Sequence, residues 1–220
     1  MLTVDRASTI DAMPAAPSSE RVATLPRVRV WVRRLSLPLL ISAGLLLVAS
    51  LLLPYWNITL HAPQYPQGLN IQVYAYKLTG DVFEVDGLNH YIGMMKLGDA
   101  AKLERAVSRV AIPLIALLAV VSFWVPGRWK WLAVTPLLIY PVVFILDLFA
   151  WLYYAGHSLD PTAALSSSIS EFTPRLLGTG TIGQFRTEAS FDLGFYLALL
   201  AAVIVLVVML MGRKAGDEAA

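Results

Sequence analysis

The side chains with the clearest chemistry are three histidines and two methionines. His61, His90 and His157 are the only imidazoles of the 220-residue chain, and Met94 and Met95 follow His90 closely. Imidazole nitrogen and thioether sulfur together form a ligand set that copper accepts. On a helix, His90 and Met94 would share one face. We therefore predict that these five residues bind copper or contact a copper-containing partner; the alternative is hydrogen-bonded histidines and methionines that only pack.

A carboxylate lies inside a long apolar run. Asp147 falls within 131–154, seven residues before its end. A charged group inside a membrane helix costs roughly 2.5–3.5 kcal/mol on insertion scales, and it suggests a function by default. Three roles are open for it: proton carrier, ion-pair partner of Arg105 or Arg109, or hydrogen-bond partner of another helix. A structural pairing is preferred, because the other apolar runs carry few polar residues.

Four long apolar runs are the elements that must position these residues. They cover 37–54, 110–126, 131–154 and 194–211, each near the roughly 20 residues of helix that cross a bilayer core of about 30 Å. The chain is 57% hydrophobic with a mean hydropathy of +0.65, whereas soluble proteins are about 45–50% apolar. The predicted fold is an all-α membrane protein, a bundle of four transmembrane helices over 31–214.

Basic residues flank these runs on one side. Arginines are dense at 27–34, before the first run, and two more cations lie in the turn at 128–130. By the positive-inside rule, both termini face the cytoplasm of a bacterial inner membrane. Residues 1–30, rich in Ala, Ser, Thr and Pro, are predicted to be a disordered cytoplasmic tail. This charge pattern indicates anchoring at a lipid bilayer and argues against nucleic-acid binding.

Two extracytoplasmic loops follow from this topology, at 55–109 and 155–193, and they contain all three histidines. In the first loop, Asn70–Leu78 alternates in polarity and predicts a short strand in a β-hairpin with Val82–Val85. Asp99 is the expected N-cap of an amphipathic helix that reaches Arg109. The second loop is expected to be ordered by packing on the first. Aromatic residues near the membrane borders predict interfacial anchors: Trp56, Tyr91, Trp151 and Tyr154.

Motifs for catalysis are missing from the sequence. The chain has no cysteine, which excludes thiolate metal ligation and thiol catalysis. The glycines of Leu177–Phe185 lack the Gly-Lys-Ser/Thr of a phosphate-binding loop, and no serine stands in a nucleophile-elbow pattern. We therefore predict a protein that is not an enzyme.

Segments of both loops resemble small four-span membrane proteins found with nitrous oxide reductase systems. These segments are Tyr65–Leu69 (YPQGL), Leu88–Met94 (LNHYIGM), Gly156–Pro161 (GHSLDP) and Leu177–Phe185 (LGTGTIGQF). The resemblance covers both loops and the third apolar run. It implies an accessory role in copper-dependent denitrification, either in maturation of the copper enzyme or in electron supply, with the loops in the periplasm.

The leading functional hypothesis is a non-enzymatic inner-membrane accessory protein whose outer loops dock or handle a copper-containing periplasmic partner. One alternative is a structural scaffold subunit of a larger membrane respiratory complex. Another is a small proton-linked transporter component that uses Asp147. Copper is the one cofactor that these hypotheses suggest, and the expected partners are the bilayer and a larger membrane or periplasmic protein.

Overall fold

The computed structural model describes residues 19–165, 168–182 and 184–217 and contains both helices and a β-sheet. The helices are α1 (Ser19–Ser50), α2 (Val82–Ile92), α3 (Lys102–Val121), α4 (Trp129–His157) and α5 (Leu193–Asp217). The strands are β1 (Trp56–Ala62), β2 (Tyr65–Val73), β3 (Leu78–Gly80), β4 (Gly178–Ile182) and β5 (Phe185–Phe191).

All five strands belong to one sheet with the order β3-β2-β1-β5-β4. Every neighbouring pair is antiparallel. β1 lies at the centre, where Trp56 stands opposite Val73 of β2 on one side and Phe191 of β5 on the other. The sheet therefore joins the two segments that were predicted to be separate loops.

The predicted fold class, an all-α bundle of four transmembrane helices, is wrong. The five-stranded sheet makes the fold a mixture of α and β structure. Among the described residues, two helices are long and apolar enough to cross a membrane, Trp129–His157 and Leu193–Arg213, while Arg34–Ser50 is apolar but shorter. α3 carries four charged side chains in its first half: Lys102, Glu104, Arg105 and Arg109.

The β-structure was underestimated although three of the four strand pairings, β1 with β2, β2 with β3 and β4 with β5, join neighbouring segments of the sequence. A strand does occupy part of Asn70–Leu78, but β2 begins earlier and its partners are β1 and β3. Val82–Val85, the predicted second strand of a hairpin, instead forms the first turn of α2. The pairing of β1 with β5 joins residues more than 120 positions apart, and no local pattern reveals such a contact.

The predicted amphipathic helix and the second apolar run form one continuous helix. α3 begins at Lys102, after a 3-10 turn at Leu97–Asp99. Asp99 is therefore not its N-cap; its carboxylate lies 2.6 Å from the ammonium of Lys102. Ala101, with a φ of 49°, makes the sharp change of direction that starts the helix.

The other helix bounds differ from the predicted runs mainly at their ends. α4 and α5 extend a few residues beyond 131–154 and 194–211. α1 begins at Ser19, so helix already covers the later part of the segment predicted to be a disordered tail. The tail before Ser19 lies outside the described residues.

The four long helices pack together around small side chains. α1 contacts α3 and α5, and α4 contacts the same two helices. Small residues at such contacts allow helix backbones to approach closely, and the buried alanines are Ala43, Ala116, Ala119, Ala198, Ala201 and Ala202.

Tyr55 connects this helical core to the sheet. Its side chain is fully buried, its hydroxyl shares a hydrogen bond with Ser50, and its ring meets that of Tyr140 edge-on at 6.1 Å. Its backbone N–H donates to Val73, and its carbonyl accepts from Asp192. The end of α4 that holds His157 therefore lies beside the sheet, and we call it the sheet end.

Candidate functional site

The two faces of the sheet differ in chemistry. On the inner face, which is turned toward the helices, Ile58 and Leu60 of β1 lie opposite Ala189 and Thr187 of β5. Side chains alternate between faces along a strand, so the intervening residues form the outer face. That face is polar, and on β1 and β5 it consists of Asn57, Thr59, His61, Arg186, Glu188 and Ser190.

A cavity of about 330 Å³ lies between the inner face and the sheet end of α4. Its volume is at the lower end of the roughly 300–1,000 Å³ typical of small-molecule sites. α2 and the first turns of α3 close its sides. The wall supplied by α4 is apolar except for Asp147, and its apolar side chains recur along one helix face; they include Val143, Phe144, Leu148, Trp151 and Leu152.

Polar side chains line the cavity where α3 begins, namely Glu104, Arg105, Ser108 and Asp147. Glu104 precedes the end of α3 by 17 residues, and Asp147 follows the start of α4 by 18 residues. Because a short turn joins these two helices, both carboxyl groups lie at the same height. Both side chains line the same cavity. We call this part of the cavity the acidic wall.

Asp147 has neither of the arginine partners predicted for it. The guanidinium of Arg105 donates to the carbonyl oxygen of Gly98 at 2.6 Å, and that of Arg109 lies 5.4 Å from the ring centre of Tyr76. Over the described ranges, the ion pairs are Lys102–Asp99 and Arg186–Glu188. Asp147 lies in an apolar helix, faces the cavity and has no basic ion-pair partner among the described residues. These features favour contact with a ligand over a structural role.

Thr187 supplies a second polar group, on the β5 side of the cavity. Its side chain points from the inner face and is only 2% exposed. Its Oγ1 has no hydrogen-bond partner, the one such buried side-chain atom among the residues that the structure describes. Native structures pair nearly all buried polar atoms, so this hydroxyl marks a place where a partner is expected.

His61 lies on the side of the sheet away from this cavity. It stands opposite Arg186 on the outer face, and its ring lies beside Gly68. The sheet separates it from Met94 and Met95, which contact the inner side. The structure therefore does not bring His61 to the methionines.

The other two histidines lie near the sheet end of α4. His157, at the end of α4, stacks on Tyr153 at 3.9 Å, and its Nδ1 lies 2.9 Å from the Tyr153 carbonyl oxygen. His90 is exposed on α2, three residues before Gly93 at the end of that helix. Asp160 donates its backbone N–H to Gly93 at 2.8 Å, so the segment after α4 docks on the end of α2.

The two methionines are packing residues on the inner side of this region. Met94 contacts the apolar cluster of Ala62, Ile92 and Phe185, and Met95 lines the cavity. Throughout the described segments, no three His, Asp or Glu side chains are grouped so that they could hold a metal. The five residues predicted to contact copper thus lie on different faces, and copper binding stays a prediction.

The four residues predicted to anchor the chain at a membrane border have different environments. Trp56 is 3% exposed, and its indole N–H donates to the carbonyl of Leu176 at 2.7 Å inside the protein. Tyr91 and Tyr154 are more than half exposed. Trp151 lines the cavity and meets the Tyr154 ring edge-on at 5.9 Å.

Glu104 and Thr187 were not recognised from the sequence as site residues. The signal for Thr187 is the alternation over 185–191, where every second residue is buried and Thr187 is the polar one among them. Glu104 can be recognised only by counting residues from the turn between α3 and α4. Because this turn is short, residues equally far from it lie at the same height on the two helices. Comparison of the chain with protein-family models, with curated proteins and with solved structures finds no match.

Proposed function

We propose that this protein is a non-enzymatic, membrane-anchored binding protein whose cavity holds a small apolar molecule. The cavity between the sheet and α4 is the observation that carries this proposal. An apolar lining with a few placed polar groups is typical of small-molecule sites. Ser108, the hydroxyl of the acidic wall, donates to the backbone carbonyls of Ala75 and Arg105 rather than to a carboxylate, which supports binding rather than catalysis.

The bilayer is the proposed source of the molecule. α4 forms one wall of the cavity and is one of the two helices, among the described residues, that are long and apolar enough to cross a membrane. Val143 lines the cavity and is 50% exposed, so the cavity opens along the flank of α4. An apolar molecule dissolved in lipid would enter there without passing through water.

The acidic wall sets the orientation of the bound molecule. The carboxyl groups of Asp147 and Glu104 accept hydrogen bonds when ionised. A hydroxyl or ammonium group of the ligand would donate to them, and its apolar body would lie against Leu148 and Trp151. This arrangement gives Asp147 a role in binding and needs no proton transport.

Two tryptophan substitutions in α4 test the proposal. Leu148 faces the cavity, whereas Leu146, two residues earlier, is 62% exposed and outside the lining. We expect Leu148→Trp to fill the cavity and Leu146→Trp to leave it open. The full-length protein and both variants would be purified in lipid nanodiscs and washed, and their extracts compared by mass spectrometry. The proposal is supported if the unmutated protein and Leu146→Trp retain apolar molecules that Leu148→Trp loses. Equal retention by the two variants contradicts it.

A second candidate function is docking of a larger protein at α2. Phe83 is 86% exposed and Tyr91 57% exposed, and on a helix these two residues and His90 lie on one side. Exposed aromatic side chains are enriched at protein interfaces. The resemblance of Leu88–Met94 to accessory proteins of nitrous oxide reduction is what suggests a copper-containing partner. Co-purification of one protein at fixed stoichiometry, lost in Phe83→Asp, supports docking; its retention in that variant contradicts it.

A further inference from the structure

We infer that Thr187 hydrogen-bonds an oxygen atom of the bound molecule, so the ligand class is a small apolar molecule that carries a hydroxyl or carbonyl group. This inference rests on the proposed function and names the chemistry of its ligand. It assigns Thr187 as the residue that distinguishes an oxygen-bearing molecule from a plain hydrocarbon.

The isolation of the Thr187 hydroxyl is unusual within this protein. Ser50 and Ser122 are also fully buried hydroxyls, and each donates to a backbone carbonyl three residues earlier in its helix. A strand offers no such acceptor, because its carbonyl groups point along the sheet to neighbouring strands. Thr187 therefore needs a partner from outside its own element, and none of the described residues provides one.

The surroundings of Thr187 leave room for that partner. Gly180 of β4 lies opposite Thr187. A side-chain carbon at position 180 would come within 2.9 Å of the Thr187 Oγ1 and 3.3 Å of the Arg175 side chain, so glycine avoids crowding the hydroxyl from the β4 side, while Thr187 itself lines the cavity. A threonine hydroxyl both donates and accepts hydrogen bonds, which is why a ligand hydroxyl and a ligand carbonyl both fit.

Thr187 and the acidic wall contact different parts of the cavity. Ser108, in the acidic wall, donates to the carbonyl oxygen of Ala75 at 2.7 Å, and Ala75 lies in the connection between β2 and β3. β1 separates β2 from β5 in the sheet. With strands about 4.8 Å apart, the two polar regions are separated by on the order of 10 Å. The ligand therefore presents one oxygen to Thr187 at the end away from the acidic wall, and this oxygen is separate from the group that donates to Asp147 and Glu104.

Binding of a matched pair of molecules tests this inference. Butylbenzene is a plain hydrocarbon, and 4-butylphenol has the same body with one hydroxyl. Their dissociation constants would be measured by calorimetry on the full-length protein in nanodiscs, with empty nanodiscs as the reference for partition into lipid. We expect the unmutated protein to bind 4-butylphenol more tightly than butylbenzene.

Substitutions at and beside Thr187 complete the test. Thr187→Val, which removes only the hydroxyl, should weaken 4-butylphenol binding by roughly two- to tenfold, the range for one hydrogen bond, and leave butylbenzene binding unchanged. Thr187→Ser should keep the preference for the phenol. Gly180→Ala, which narrows the space beside an intact Thr187, should weaken binding of the phenol alone, and it provides a second route to the answer should the valine variant fold poorly.

The two proposals fail in different ways. If the protein binds both molecules and Thr187→Val still prefers the phenol to the same degree, the role of Thr187 is overturned. The proposed function of the cavity would stand in that case. Absence of specific binding for either molecule, together with no effect of Leu148→Trp on retained molecules, would overturn the cavity function and this inference with it.

Discussion

Glu104 of α3 and Asp147 of α4 face one cavity at the same height along two antiparallel helices, and among the described residues neither carboxylate has a basic ion-pair partner. Like charges in such positions repel each other, and the partial burial of Asp147 removes part of the water that would solvate it. A protein gains no stability from this arrangement. We therefore attribute it to binding of the small molecule that we propose for this cavity.

Neutralising Asp147 should stabilise the empty protein. We expect Asp147→Asn to raise the free energy of unfolding by roughly 0.2–1 kcal/mol, because it removes the repulsion from Glu104 and both groups retain contact with solvent. The measurement is thermal unfolding in nanodiscs after washing. In a double-mutant cycle with Glu104→Gln, the gain should shrink once Glu104 is already neutral. A loss of stability in Asp147→Asn would indicate a structural contact instead.

The start of α5 should be intolerant of any side chain at position 194. An added carbon on Gly194 would come within 2.7 Å of the carbonyl oxygens of Leu53 and Pro54, which are rigid backbone atoms. We expect Gly194→Ala to cost about 1–3 kcal/mol, the range for overpacking. Gly87, in α2, has no atom within 4 Å of such a carbon, so Gly87→Ala should gain roughly 0.5–1 kcal/mol from helix propensity. Equal melting temperatures for the two variants would contradict the close approach at Gly194.

The segment after α4 should loosen in acid. The hydroxyl and backbone N–H of Thr162 donate to the carboxylate of Asp160 at 2.7 and 2.8 Å, and they hold the pKa of Asp160 below its ordinary value of 3.8. Because the folded pKa is the lower one, this stabilisation is complete above about pH 3.8 and is lost as the pH falls through the folded pKa.

Hydrogen exchange at the backbone amide of Asp160, which donates to Gly93, measures this loosening. Protection of that amide, corrected for the intrinsic effect of pH, should fall below about pH 3.8. Asp160→Asn, which does not titrate, should show no such step. Protection that stays constant in the unmutated protein through pH 2 would show that the carboxylate does not hold the segment.

The three histidines should differ in their effect on copper binding. His61 lies on the outer face of the sheet, and His90 lies on α2 beside the segment that follows His157. We expect His61→Ala to leave the copper content of the purified protein unchanged and His90→Ala to lower it, as measured by mass spectrometry after dialysis. Absence of copper above the buffer level in the unmutated protein would contradict the copper prediction altogether.

The apolar helices could be predicted because the hydrophobicity of a segment depends only on its own residues. α4 and α5 coincide with two predicted runs and are long enough to cross a membrane. The sheet was missed because its two halves, β1 to β3 and β4 with β5, are joined by the pairing of β1 with β5. Phe185 and Ala189 reach the core only through the pairing of β5 with β1, which no window of the sequence contains.

The site was less predictable than the helices for a related reason. Residue types identified the histidines and methionines, but the face of the sheet on which a residue lies depends on register. A shift of one residue would exchange His61 and Leu60 between the two faces. Asp147 was recognisable as a charge in an apolar run, whereas the absence of its arginine partner follows from Arg105 binding the Gly98 carbonyl.

The central position of β1 also determines the order of assembly. Asn57 and Asp192 are 135 residues apart and are hydrogen-bonded to each other, so β5 emerges from the ribosome long after β1 and β2. Until β5 is made, the edge of β1 opposite β2 has no strand to pair with. Pairings between such distant segments form slowly. The cavity is consequently among the last parts to form, and a chain released before β5 is made would carry an uncovered edge of β1 that other chains could join.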